Sequence, residues 1–385
     1  MLKPEQIDSL RDTFEKIAEP INDYIIKDIV NRILEAGQIT GTARRRAEVA
    51  RLMRVSVEKV ERYLKEECEA READFSYWFN EIVKLMFSQS AIPIEQDTEV
   101  QQIVFTALKL ANAAFENLTQ TLGMIGPYGQ FLPLRDVYIN VSDYAYNKVV
   151  TGAATYQEAM LDAVRNLADY GVQSIDYQSG RHYNLDVAIR RNIFGGMGLM
   201  VEQVENHIAQ EMQSDGWEIS AHEASAEDHE PYQGRQYSNE DFQVLNNSLK
   251  RRIGTLNCKH MAFPIILGVS EPIYTEEQLK EMAERNKKGI DYEGKHYSLY
   301  EATQMQRLLE RNIRKQKRRI VAYSQSEETA KELQKAQIRY RQLDAKYREF
   351  SGVASMPVQE QRLEVLGFGN REHKQSVNAY KPLAN

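Results

Sequence analysis

The sequence predicts an α+β protein that is predominantly helical. It has a long helical N-terminal region, a small mixed α/β centre and a C-terminal basic helical hairpin. Three observations carry this prediction. Apolar residues recur at spacings of three and four through most of the chain before Gly123. Most of the short, strand-sized apolar runs fall between Gly171 and Tyr274. After Tyr300 a helical period returns, now loaded with Lys and Arg. The boundaries that follow are a helical region at 1–125, a central unit at 135–298, a basic hairpin at 299–350 and an extended tail at 351–385.

The bounds are those of an ordinary folded chain. At 385 residues it exceeds one small core and suits two or three domains. A hydrophobic content of 42% with 27% charged residues argues against global disorder. The net charge of −7 is unevenly spread, because residues 301–350 hold 13 Lys/Arg against 7 Asp/Glu and are net positive. Such asymmetry suggests either a basic element facing an acidic partner or a solvated helix face. Cys68 and Cys258 are the two cysteines, too few and too far apart for a disulfide framework, which fits a reducing cytosol. The first residues, MLKPEQIDSLRD, lack an apolar signal core, and AFPIILGV at 262–269 is strand-sized rather than membrane-spanning.

In the N-terminal region Ile7, Leu10, Phe14, Ile17, Ile21 and Tyr24 form one apolar stripe, resumed at Ile25, Ile29 and Ile33 and closed by Gly37. Pro20 sits inside it and should kink or divide the helix. Residues 42–69 resemble a helix–turn–helix in outline, with Arg44, Arg45, Arg46 and Arg51 as phosphate contacts. No glycine marks the turn and acids crowd the second helix, so a structural helical pair is the better reading. Helix continues over 72–122. The stretch GMIGPYGQFLPLRD at 123–136, with three glycines and two prolines, reads as the loop that ends the region.

The centre opens with helices over 137–152 and from a Thr155–Glu158 capping box to Gly171. Val172–Tyr177 predicts a short strand and Ser179–Gly180 a turn. Asn184 predicts the cap of a long helix reaching about Gln213, with Gly195, Gly196 and Gly198 marking a bend or a close helix crossing. Trp217–Ala221 alternates as a strand, 222–237 is a His-rich loop, and Ala262–Leu267 reads as a buried strand. Seven basic residues then follow on one predicted helix: Arg307, Arg311, Arg314, Lys315, Lys317, Arg318 and Arg319. A Ser324–Glu327 capping box opens the second helix, with Leu333, Ala336, Tyr340, Leu343, Tyr347 and Phe350 on one face. These cations are the candidate nucleic-acid or partner-binding residues. Read as an exposed face, charge reversal at Arg314, Lys317 and Arg318 is expected to leave folding intact.

His222, His229, Cys258 and His260 are the one tight grouping of metal-capable side chains, and zinc is the metal such a set would suit. Their spacing departs from zinc motifs with ligands two to five apart, and no catalytic residue is assigned. Nucleophile-elbow, Walker and dinucleotide signatures are absent from the sequence. Arg181, Arg190 and Arg191 suit a phosphate or pairing with Asp176 and Asp186.

The ordered run IDYQSGRHYNLDVAIRR, SAHEASAEDHEPYQGRQYS, NCKH, YTEEQL and YEGKHYSLYEATQMQRLLERNIRKQKR resembles the phage minor capsid protein 2 family. The resemblance covers about 135–350 well and the N-terminal helices, including ITGTA at 39–43, more loosely. His222, His229, Gln233, Gly234, Asn257, Cys258 and His260 match the family pattern. Ala224–Asp228, Lys259, Tyr232 and Arg235 depart from its usual residues. The resemblance implies a minor head protein of a tailed bacteriophage with a structural and assembly role. It implies synthesis in host cytoplasm, residence in the virion near the portal and packaged DNA, and no enzymatic activity. The partners it implies are the portal protein, the major capsid protein and, as a further candidate, packaged DNA, with no membrane span and no small-molecule substrate. The residues alone leave a second class open, a metal-dependent hydrolase or nuclease centred on His222, His229, Cys258 and His260.

Overall fold

The computed structural model describes residues 17–28, parts of 58–84, 97–126, 129–134, isolated positions between 136 and 165, and 168–176, 179–253, 259–324, 329–365 and 367–381. Residues 17–28 are helical straight across Pro20, and Ile17, Ile21 and Ile25 are buried as the stripe requires. The rest of the Ile7–Ile33 stripe lies outside the described residues. So do most of the 42–69 segment and all four of its candidate arginines, and most of 137–167.

The first complete helix, α1 (Thr98–Gln120), starts at Asp97, whose side chain accepts from the N–H groups of Glu99 and Val100. That carboxylate satisfies two of the orphan donors of the first turn. Next come the strands β1 (Leu122–Ile125) and β2 (Phe131–Pro133), paired as an antiparallel hairpin. Part of the 123–136 stretch, read as an inter-region loop, instead forms this hairpin, with Gly123 paired to Pro133. Gly123 has a packing reason, because a Cβ there would lie 2.2 Å from the Leu132 carbonyl oxygen. Two further strands, β3 (Val172–Ile175) and β4 (His182–Asn184), complete a four-stranded antiparallel sheet in the order β2-β1-β3-β4.

The long helix α2 (Leu185–Glu211) packs on α1. Gly196 faces α1, where a Cβ would meet the Ala111 side chain at 3.6 Å, an ordinary contact distance that leaves room for a side chain. Asn184 is the N-cap residue, but its amide oxygen accepts from the Gln173 side chain rather than from the helix. His207 of α2 reaches the cap of α1 through Nε2 to Asp97 Oδ2 at 2.7 Å.

A second antiparallel sheet has the order β6-β5-β7, with β5 (Gly216–Ile219), β6 (Gln236–Ser238) and β7 (Ala262–Ile265). Between β6 and β7 lies α3 (Asn239–Ser248). Beyond β7 comes α4 (Glu276–Lys288), opened by a reciprocal capping box between Thr275 and Gln278. Gly289 (φ +45°) turns the chain into the hairpin of β8 (Ile290–Tyr292) and β9 (Lys295–Tyr297).

The basic hairpin is present as α5 (Leu299–Tyr323) and α6 (Ala330–Val353). Ser298 and Glu301 cap α5 reciprocally. Ser324 ends α5 instead of opening α6: its N–H returns to Ile320 O and its hydroxyl donates to Val321 O. Residues 325–328 lie outside the described residues. Leu309, Ile313 and Ile320 of α5 and Ala336, Tyr340, Leu343, Tyr347 and Phe350 of α6 are buried.

The tail is not extended. It forms a 3-10 turn at Glu360–Leu363 and a helix, α7 (Asn370–Tyr380), packed back on α6. Leu363 and Val365 are buried, and Phe368 stacks edge-on to Tyr340 with ring centroids 5.1 Å apart. Polar bonds fix the return: Tyr347 Oη donates to Glu310 Oε1 (3.0 Å) and accepts from the Gln359 N–H (2.9 Å). One apolar cluster runs from Ile17 through the first sheet and α2 to Leu363. The second sheet carries a small cluster of its own around Ile219 and Ile253.

Candidate functional site

Two places gather the residues singled out by sequence. The first is a histidine cluster at the end of the second sheet. Strands β5 and β7 pair from Gly216↔Ile265 to Ile219↔Ala262, and the pairing extends through Ser220 N–H to Met261 O at 2.8 Å. Continuing one residue further on each strand brings the segments of His222 and His260 side by side. Their ring centroids are 4.3 Å apart, and His229 adds an edge-on ring 5.4 Å from His260. The loop between β5 and β6 closes over them because Gly234 (φ +68°) returns its N–H to Ile219 O.

Each ring is held by an oxygen. His222 Nδ1 donates to Glu223 O at 2.7 Å and His229 Nε2 to Arg251 O at 2.8 Å. Gln233 Oε1 accepts both the His222 backbone N–H (3.1 Å) and His260 Nε2 (3.0 Å). The backbone donor orients the amide, and the amide oxygen then sets the proton of His260 on Nε2. Burial pushes the His260 pKa down to about 2, helped by the neighbouring His222 and His229. His260 is therefore neutral at ordinary pH. Arg251 holds Asp228 through a forked ion pair and keeps that carboxyl below the usual range. Asn286 of α4 donates to Ser225 O and to Glu230, tying the loop to the helix before the hairpin.

His222, His229 and His260, grouped in one segment of the sequence, lie together in the structure, while Cys258 lies outside the described residues. Among the described residues no group of three His, Cys, Asp or Glu side chains is arranged to hold a metal ion. Gln233, Ser225 and Asn286 complete the cluster. Of these, Gln233 was marked in sequence by its match to the family pattern, whereas nothing local singles out Asn286.

The second place is the basic run of α5, and here the structure overturns the reading of a solvated face. Arg314 is only 4% exposed. Its Nε pairs with Glu19 Oε1 (3.1 Å) and a terminal nitrogen donates to Arg362 O (2.6 Å). Arg318 pairs with Glu19 Oε2 at 3.2 Å. Arg319 forks onto Asp169 at 2.5 and 2.7 Å, and Lys315 reaches the same carboxylate at 3.3 Å. Lys317 donates to Leu363 O (2.7 Å) beside the Phe368 ring, and burial lowers its pKa. Arg307 is half-buried and Arg311 exposed. The charges clamp α5 to the N-terminal helix, to the 168–170 helical turn and to the returning tail. Charge reversal at Arg314, Lys317 and Arg318 is therefore expected to destabilise the fold rather than spare it.

No described helix is long and apolar enough to cross a membrane. No curated protein and no solved structure matches the chain. The sequence model of phage minor capsid protein 2 matches residues 2–351, and with nine-tenths of its length inside that match the chain belongs to the phage minor capsid protein 2 family.

Proposed function

We propose that this chain is a minor component of a tailed-phage head that acts as a structural joint near the portal, in contact with the portal and major capsid proteins. The family match over residues 2–351 carries the reading. The internal organisation supports it: α5 is held by ion pairs at Glu19 and Asp169 and by tail carbonyls, which ties three segments distant in sequence to one helix. A helix braced in this way suits an assembly part. Contact with packaged DNA, the finer element of the proposal, draws on Arg311 and its neighbourhood, because most of the other α5 cations are engaged within the chain. Co-purification of tagged protein with portal oligomers tests the placement. Stable co-elution supports it, and failure to associate under conditions where the portal assembles overturns it.

A second reading, a metal-dependent hydrolase or nuclease, draws only on the proximity of His222, His229 and His260, which among the described residues are not arranged to hold a metal ion. Metal analysis of purified protein separates the two. Zinc or manganese bound one per chain supports the enzyme, and a metal-free, fully folded protein removes it.

A further inference from the structure

Beside the α5 clamp lies a cavity of about 270 Å³, bounded by the N-terminal helix, the 168–170 turn, the start of α2 and one face of α5. Its ionic lining is four cations, Arg311, Arg314, Lys315 and Arg318, against two carboxylates, Glu19 and Asp169. Both carboxylates are already occupied. Each oxygen of Glu19 takes one guanidinium, from Arg314 and from Arg318. Both oxygens of Asp169 are taken by the Arg319 fork, which leaves Lys315 as an additional cation.

Two neutral groups of the wall, Asn22 and Asn184, lean the same way. Asn22 spends its Oδ1 on the Val172 N–H (2.7 Å), and Asn184 spends its own on the Gln173 amide (2.6 Å). What remains on both is an NH2 donor. Arg318 Nε is buried without a hydrogen-bond partner. A buried donor in that state is destabilising relative to a satisfied one. The cavity lining is thus rich in donors and positive by two charges. Arg311 stands exposed at its rim.

We propose that this cavity is an anion site that takes a phosphate group, with Arg311, Lys315 and Arg318 as its charged donors. A phosphate offers several strong acceptor oxygens in a small volume, matching convergent guanidinium, ammonium and amide donors. The group comes either from a small phosphate-bearing solute or from a phosphodiester backbone presented at the Arg311 rim. The inference does not depend on the portal placement.

The full-length protein is titrated with inorganic phosphate, a mononucleoside monophosphate and a short DNA duplex, at constant ionic strength set with chloride, and thermal stability and binding heat are read. Saturable stabilisation by phosphate that chloride does not reproduce is expected. Arg311→Gln, at an exposed position, should fold with an unchanged melting temperature in chloride and lose at least tenfold in phosphate affinity. Lys315→Gln should weaken binding in the same direction. Tighter binding of the duplex than of the mononucleotide assigns the site to a nucleic-acid backbone, and the reverse order assigns it to a small solute. Equal effects of phosphate and chloride, or unaltered phosphate binding by folded Arg311→Gln, overturn the proposal.

Discussion

Replacing Arg314 by Met isolates the clamp that joins the two ends of the chain. The side chain is 4% exposed, its Nε lies 3.1 Å from Glu19 Oε1, and a terminal nitrogen lies 2.6 Å from Arg362 O. Met preserves much of the aliphatic volume but removes the charge and both bonds. Deleting one partner of a buried ion pair costs about 3–5 kcal/mol, because the remaining charge stays desolvated. Glu19 keeps Arg318 at 3.2 Å, which offsets part of that loss and places the expectation at about 3 kcal/mol. That value changes the folded-to-unfolded ratio by about two orders of magnitude. Arg311→Met, one turn away and exposed, should stay within about 0.5 kcal/mol of wild type. Urea unfolding followed by far-ultraviolet circular dichroism reads both variants, and a cycle with Glu19→Gln should give a coupling above about 1 kcal/mol. An Arg314→Met midpoint indistinguishable from that of Arg311→Met would refute the clamp.

Glu205 is buried, and burial pushes its pKa up from the ordinary 4.5 to about 7. Its folded pKa is raised, so its contribution is fully favourable below pH 4.5 and is lost as pH rises through 7. Glu205→Gln should therefore gain up to about 3 kcal/mol over wild type at pH 8 and little at pH 4.5, read from melting temperatures at the two pH values. An equal effect at both would contradict the burial argument. His260 titrates in the opposite sense: its pKa falls to about 2, so the folded state loses stability as pH drops below 6.5. The loss approaches about 1.4 kcal/mol per pH unit for one group. His260→Gln should flatten the acid limb of stability between pH 6 and 4, and an unchanged slope would exclude His260 as its source. Gly289→Ala should cost at least about 2 kcal/mol more than Gly294→Ala in urea. Both have positive φ, but only at Gly289 does a Cβ fall 1.9 Å from a backbone oxygen, that of Tyr297.

Much of the architecture is legible where a local signal and the tertiary environment agree. The long helix after Asn184, the strands at 172–175, 216–219 and 262–265 and the hairpin from Tyr300 to Phe350 follow from hydrophobic period and flanking breakers. The failures have a shared cause. Glycine and proline in 123–136 and after Gly352 announce a turn, but they do not say whether the chain on either side pairs or leaves. Pairing of Met124 with Leu132 and with Val172, and the return of Leu363 and Val365 onto the hairpin, are decided by contacts distant in sequence. Thr275 and Gln278 did carry a readable capping box for α4, so that helix was available to a closer reading.

The candidate sites divide in the same way. His222, His229 and His260 converge as their shared presence in one segment suggested, because two of them flank adjacent strands. The basic run was legible as charge and illegible as orientation. Its acceptors, Glu19, Asp169 and the carbonyls of Arg362 and Leu363, lie far along the chain, and no helical period reveals them. A cation run on a helix that is itself central to the fold is as much a set of internal clamps as a surface for a partner.

Quantitative mass spectrometry of gradient-purified particles tests the head assignment most directly. The account predicts that this chain co-sediments with full heads at a fixed ratio to the portal protein and survives washing in high salt. A chain abundant in the infected-cell lysate yet absent from infectious particles would contradict it.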